Sequence, residues 1–298
     1  MTIFHVLHRT RYRYANPVRF GDHRMMMRPR DSHDLRLIDT GLTISPAAKV
    51  RWMHDVFGNS VAVARFREPG RELLVESSFR FEHYPLPAHA VTLEEFARTY
   101  PFSYDVEEVP DLGRTAERHY PDPGHKLDRW ARQFVEAEAD RETMAILVAM
   151  TEAIKAGFTY NPRDEMGTQD PLATLETGSG TCRDYALFLM EAARSLGFAA
   201  RFVSGYLYDQ SLIGGSASGV VGGGATHAWV QIYLPGAGWV EFDPTNALVG
   251  GQNLIRVAVA RDPKQAIPLA GSFTGKTNDF LGMDVQVEIT AEGENADE

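Results

Sequence analysis

Apolar and polar positions follow two different periods along this chain. "HVLHRTRYRY" alternates, with Val6, Tyr12 and Tyr14 on one face and arginines on the other, the period of a strand. "WMHDVFGNSVAVARF" sets Gly58-Asn59 between two apolar runs, which is a hairpin signal. "LLVESSFRFEHY" puts Val75, Phe79 and Phe81 on one face. Thr92 and Glu95 in "TLEEF" have the spacing of a capping box that opens a short helix. Short strands punctuated by Gly and Pro predict a β-sandwich-like N-terminal domain over residues 1–120. The proline-rich "HYPDPGH" reads as a linker at about residues 119–125.

Beyond the linker the apolar spacing lengthens to three and four. "LDRWARQFVEAEA" and "ETMAILVAMTEAIKAGF" read as helices, the second stopping at Gly157. "GSGTCRDYALFLMEAARSLG" carries apolar Tyr185, Leu187, Phe188, Leu189, Ala192 and Leu196, a largely buried helix with Cys182 in its first turn. Three strand-like runs follow: "AARFVSGYLY", "HAWVQIYL" and "GWVEFDP". A glycine-rich loop, "GGSASGVVGGGAT", separates the first two, and "PGAG" turns between the second and third. Residues 126–260 therefore predict helices followed by an antiparallel sheet, an α+β arrangement. Residues 261–290 read as a loop and a strand, "DVQVEIT"; residues 291–298, "AEGENADE", read as a disordered acidic tail.

Composition narrows the function classes. With 298 residues, 44% hydrophobic and 23% charged, the chain is ordinary globular material of about two domains. A formal charge of −10 argues against nucleic acid or an anionic membrane as partner. One cysteine cannot form an intrachain disulfide, so the fold needs no oxidising compartment. The first residues lack a signal-peptide pattern and no apolar run reaches the length of a membrane span, so a cytoplasmic location is the default expectation.

That single cysteine is the candidate chemistry. Thiolate is the nucleophilic form, and a helix N-terminus favours it through the helix dipole and free backbone N–H groups. The same N–H groups can hold an oxyanion. A thiol also needs a base, and His227 is the one histidine beyond the linker. Asp243 ends the next strand, so a hairpin through "PGAG" brings it beside His227, where it can fix the imidazole tautomer. The order Cys, His, acid is that of papain-like enzymes. Read singly, each residue has an ordinary account: a buried small apolar group, a strand histidine, a turn cap before Pro244.

"GSGTCRDYALFLMEAARSLGFAARFVSGYL", "THAWVQIYLPGAGWVEFDPTN" and "IRVAVARD" together resemble the transglutaminase-like superfamily, in its bacterial branch of candidate cysteine proteases. "YRYANPV", "MMMRPR" and "DVFGN" resemble the β-rich domain that precedes that core. The resemblance implies a papain-like core with a Cys182–His227–Asp243 triad and acyl transfer on amide bonds without metal or organic cofactor. It implies a peptide or protein substrate and, from the gene neighbours common in that branch, partner enzymes of peptide synthesis or degradation. Tyr160 is the expected oxyanion donor beside the Cys182 N–H, or else a packing aromatic. Water or an amine could resolve the acyl-enzyme; hydrolysis is the favoured expectation. The alternatives are a non-catalytic peptide-binding scaffold and an arylamine-type acetyltransferase.

Several other residues bear on the site. Arg183 could steer a substrate carboxylate or, with Asp184, make salt bridges at the helix start. Asn246 could orient the histidine in place of Asp243. Trp229 and Trp239 could wall an acceptor channel or fill the core. His5 and His8 lie on opposite faces of a strand, poor geometry for a metal, and Met25, Met26 and Met27 cannot all point one way. The Gly214–Gly224 loop is either a flap beside His227 or a plain connection.

Overall fold

The computed structural model describes residues 3–137, 140–162, 167–208 and 225–292. The first part is all strand: β1 (Ile3–Phe20), β2 (His23–Met25), β3 (Leu35–Ser45), β4 (Ala48–His54), β5 (Ser60–Phe66) and β6 (Gly70–His83). Then come α1 (Glu108–Leu112), α2 (Lys126–Ala137), α3 (Thr143–Gly157), β7 (Thr159–Tyr160), α4 (Pro171–Thr177), β8 (Ser179–Gly180) and α5 (Cys182–Ser195). The core sheet follows as β9 (Ala200–Leu207), β10 (Thr226–Leu234), β11 (Gly238–Asp243), β12 (Leu248–Val249) and β13 (Leu254–Ala260). β14 (Leu269–Ala270), β15 (Phe273–Thr274) and β16 (Phe280–Glu292) close the chain. Among the described residues no helix is long and apolar enough to cross a membrane.

Alternation in β1 buries Phe4, Val6, His8 and Thr10 on one face, with the arginines opposite. β1 pairs antiparallel with β6 on one side and β16 on the other, and β3 extends the sheet beyond β6. A second sheet, β14-β2-β5-β4, packs on it around Tyr14, Val18, Met25, Ala62, Ala64, Leu73 and Val75. The sequence "VFGN" does make a hairpin, β4 with β5, closed at Asn59. The three methionines divide between cores as alternation requires: Met25 and Met27 enter the sandwich, and Met26 enters the core around α5.

The α+β core is built on the sheet β12-β11-β10-β9-β13, all antiparallel neighbours. Ala228, Val230, Ile232 and Leu234 of β10 join Leu187, Phe188 and Ala192 of α5 in one apolar cluster. The outer wall of that cluster includes Leu93, Tyr100, Phe102 and Tyr120, so the segment before α2 wraps the core. Its proline-rich stretch is clamped rather than free. The His119 and Tyr120 N–H groups donate to Glu191 at 3.0 and 3.2 Å. Asp122 accepts from the N–H groups of Lys126, Leu127 and Asp128 and so starts α2.

The capping box at Thr92 does not form. That stretch is a single 3-10 turn over Glu95–Ala97 with Glu94 at its cap. The Thr92 hydroxyl turns back to the Ala90 carbonyl at 3.5 Å instead, while the Glu94 N–H is held by the Pro235 carbonyl at 2.9 Å and Glu94 becomes the cap. β16 runs to Glu292, which pairs with Arg80, and so takes in the first two residues of the acidic stretch. Residues 293–298 and the Gly214–Gly224 loop lie outside the described residues.

Candidate active site

The site begins with how α5 starts. Thr181 is the N-cap, and the Asp184 carboxylate accepts from both its N–H (2.8 Å) and its hydroxyl (2.9 Å), a complete capping box. Asp184 also accepts the Gln169 N–H at 2.6 Å, which ties the preceding loop to the helix. Gly180 makes this possible, since a Cβ there would stand 2.9 Å from that of Asp184. Cys182 is thereby fixed as the first helical residue, buried at the N-terminal end of α5.

β10 brings the histidine. The Val230↔Phe242 register sets Asp243 diagonal to His227 on one face of the hairpin rather than directly opposite. His227 Nε2 and Asp243 Oδ2 are 2.8 Å apart, and both side chains are fully buried. Asn246 Nδ2 donates to the same carboxylate oxygen at 2.9 Å, and the Thr245 N–H donates to the other. Asn246 therefore orients the aspartate and does not replace it. His227 Nδ1 is buried and has no hydrogen-bond partner among the described residues. Burial pulls the imidazole pKa down, but Asp243, and after it the adjoining Cys182 thiol, raise it to about 10. Burial likewise pushes Asp243 up, yet the His227 charge and its hydrogen bonds hold it below the usual carboxylate range.

Tyr160 arrives from the other side. β7 pairs parallel with β8, Tyr160 against Gly180, which carries the ring to the turn before Cys182. Burial, then the charge and hydrogen bond of Cys182, push its hydroxyl up to about 12, so it remains a protonated donor beside the sulfur. The structure thus gathers Cys182, His227, Asp243, Asn246 and Tyr160 in one place.

The remaining candidates separate. Trp229 is fully buried, stacked on His227 with ring centroids 6.0 Å apart, and its indole N–H donates to Glu241. It supports the histidine and walls no channel. Trp239 lies away from the sulfur, under the Arg201 guanidinium. Arg183 is exposed and makes no ion pair among the described residues, so it is free to meet substrate. His5 and His8 do fall on opposite faces, and no group of three or more His, Cys, Asp or Glu poised for a metal occurs among the described residues.

Three contributors escaped the sequence reading. Asp184 had a legible signal, because "TCRD" has the capping spacing. Gly205 had none: it pairs with His227, and a Cβ on it would stand 2.1 Å from the Ile255 carbonyl oxygen and 2.7 Å from the Trp229 ring. Glu241, the buried anchor of Trp229, looked like one more strand carboxylate.

Comparison with known proteins places this geometry. Residues 4–82 match the model of the bacterial transglutaminase-like N-terminal region, and residues 128–244 match that of the transglutaminase-like superfamily. An uncharacterized Mycobacterium tuberculosis protein is 29% identical over 302 residues, 95% of this chain and 92% of its own length. One from Mycobacterium leprae is 27% identical over 288 residues, 96% and 97% of the two chains. Among solved structures, a candidate cysteine protease from Cytophaga hutchinsonii superposes with a TM-score of 0.69 at 17% identity, covering 97% of this chain and 90% of that one. It shows the same two-part fold.

Proposed function

This chain belongs to the transglutaminase-like superfamily, and from that premise we propose that it is a thiol-dependent acyl-transfer enzyme acting on amide bonds of a peptide or protein. One observation carries the reading: a buried imidazole is bonded through Nε2 to Asp243, with its free Nδ1 beside the only cysteine, itself at a helix N-terminus.

His227, held protonated by Asp243, already carries on Nδ1 the proton taken from the thiol as the Cys182 sulfur attacks the substrate carbonyl carbon. The carbonyl oxygen becomes an oxyanion, held by the Cys182 N–H and the Tyr160 hydroxyl. As the C–N bond breaks, Nδ1–H protonates the leaving amine and a thioester remains. Water, deprotonated by His227, then attacks the thioester carbonyl; the acid is released and the proton returns to sulfur. Asp243 keeps the Nε2–H tautomer and balances the imidazolium, with Asn246 holding the carboxylate in place. No step calls for a metal or organic cofactor.

Hydrolysis is favoured over amine transfer because Trp229, the tryptophan next to His227, is fully buried and walls no acceptor channel. Arg183, exposed one residue after the nucleophile, suits a carboxylate on the substrate. A net charge of −10 disfavours nucleic acid and anionic membranes as partners. A free thiol in a chain without disulfides suits a reducing cytoplasm, where enzymes of peptide synthesis or degradation are natural partners.

The test is the rate of Cys182 alkylation across pH in wild type, His227→Ala and denatured chain, followed by a screen of peptide amides for amine or ammonia release. Fast labelling at mildly acidic pH that depends on His227, with amine release, supports the reading. Labelling indifferent to His227, as for an ordinary thiol, together with no turnover, overturns it in favour of a scaffold.

A further inference from the structure

A cavity of about 380 Å³ lies between the N-terminal sandwich and the core sheet, and its lining contains none of Cys182, His227 or Asp243. The turn that closes the β4–β5 hairpin forms one wall. Asn59 is buried there and clips Val259 of β13, donating to its carbonyl at 2.7 Å and accepting its N–H at 2.9 Å. Gly58, at φ +73°, leaves the room that Arg30 fills, because a Cβ there would meet its guanidinium at 2.4 Å. The opposite wall is the face of β9–β11 that carries Arg201, Trp239 and Glu241.

Acceptors in this cavity are spent and donors are spare. Glu241 already receives Trp229, Gln231 and Arg256. Asp34 accepts Arg256 Nη2 on both carboxylate oxygens, at 3.1 and 3.0 Å. Arg201 donates only its Nε, to Gln231 at 2.7 Å; its two terminal nitrogens meet no acceptor among the described residues. The guanidinium carbon lies over Trp239, 4.0 Å from the ring centroid. Arg194, the other inward arginine of the core, has every nitrogen satisfied, by Glu191 and the carbonyls of Thr115, Ala200 and Arg261. Burial, with the charges of Arg256 and Arg30, draws the Arg201 pKa down to about 9 against the opposing pull of the Glu241 charge.

We propose that this cavity is a binding site for an organic monocarboxylate with an apolar body, its carboxylate seated bidentately on the open edge of Arg201. A planar guanidinium fork matches a carboxylate. The nearby Glu241 and Asp34 oppose a dianion such as phosphate. Phe57, Leu86, Val91 and Val257 offer the apolar body a wall, and the volume falls in the lower part of the range of about 300–1,000 Å³ usual for small-molecule sites.

The experiment is calorimetric titration of the intact protein with 3-phenylpropionate, with its amide, and with inorganic phosphate. A short peptide with a free C-terminal carboxylate and the same peptide amidated distinguish a free acid from a chain end as the source. The expected result is saturable binding of 3-phenylpropionate or the free-ended peptide, loss of binding for the amides, and about tenfold or greater weakening in Arg201→Gln. Cys182→Ser binds as wild type, which separates this site from the nucleophile. Arg30→Gln, on an exposed side chain, gives a smaller loss and serves should Arg201→Gln fail to fold. Equal binding of acid and amide, preference for phosphate, affinity unchanged in both arginine variants, or no binding of any carboxylate overturns the proposal.

Discussion

Asp243 and Glu241 sit two residues apart on β11, on the same face and both deeply buried, yet they titrate in opposite directions. Burial raises both. For Asp243 an imidazole at 2.8 Å, an amide side chain and a backbone N–H outweigh that cost, and the pKa falls. For Glu241 burial wins over a guanidinium shared with Asp34 and two neutral donors, and the pKa rises. The lesson is that depth does not set the charge of a buried carboxylate. What sets it is how completely one cation commits to it.

The largest test converts one into the other. Asp243→Asn keeps the shape but removes the charge that fixes the imidazole, and turnover should fall about 10³–10⁴-fold with the fold intact, measured as kcat/KM on a peptide amide. Next comes the floor on which His227 and Trp229 rest. Gly205→Ala drives a Cβ into the Ile255 carbonyl and should cost about 3 kcal/mol or more, read from the urea midpoint. Asn246→Ala loosens the Asp243 carboxylate without discharging it and should lower kcat/KM by about tenfold.

The smallest effect is expected at Glu241. Its folded pKa lies above the usual value, so it withdraws stability as pH rises from about 4.5. Glu241→Gln should lie within about 1 kcal/mol of wild type and gain on it as pH rises. The catalytic pair behaves oppositely: Asp243 stabilises above its ordinary carboxylate range and loses this as pH falls through its depressed pKa. The His227 contribution is complete below about 6.5 and disappears as pH rises through about 10. Thermal unfolding of wild type, Asp243→Asn and Glu241→Gln across pH checks both signs.

The α+β core and its candidate site were legible because their signals are local. A helix with Cys182 in its first turn and a hairpin with a three-residue turn fix three residues without knowledge of the rest. Tyr160 was named on the strength of the resemblance, and its route through the short β7–β8 pair has no pattern long enough to read. Gly205 matters through a strand that pairs across a long stretch of sequence, and Glu241 through which side chains share its face, neither of which period alone reveals. The wrapping of residues 93–120 around α5 was lost for the same reason: a proline-rich run looks like a tether whether or not its backbone is bonded.

The β16 strand lies alongside β1, Ile3 against Glu292. The first sheet is thus finished by a strand that is made only after the whole core. Until then β1 presents an open edge, paired on one side only, while the whole core is being made. Synthesis order therefore makes β1 wait for its second neighbour until the core is complete, and it gives the newborn protein a period when its aggregation risk lies along that open edge.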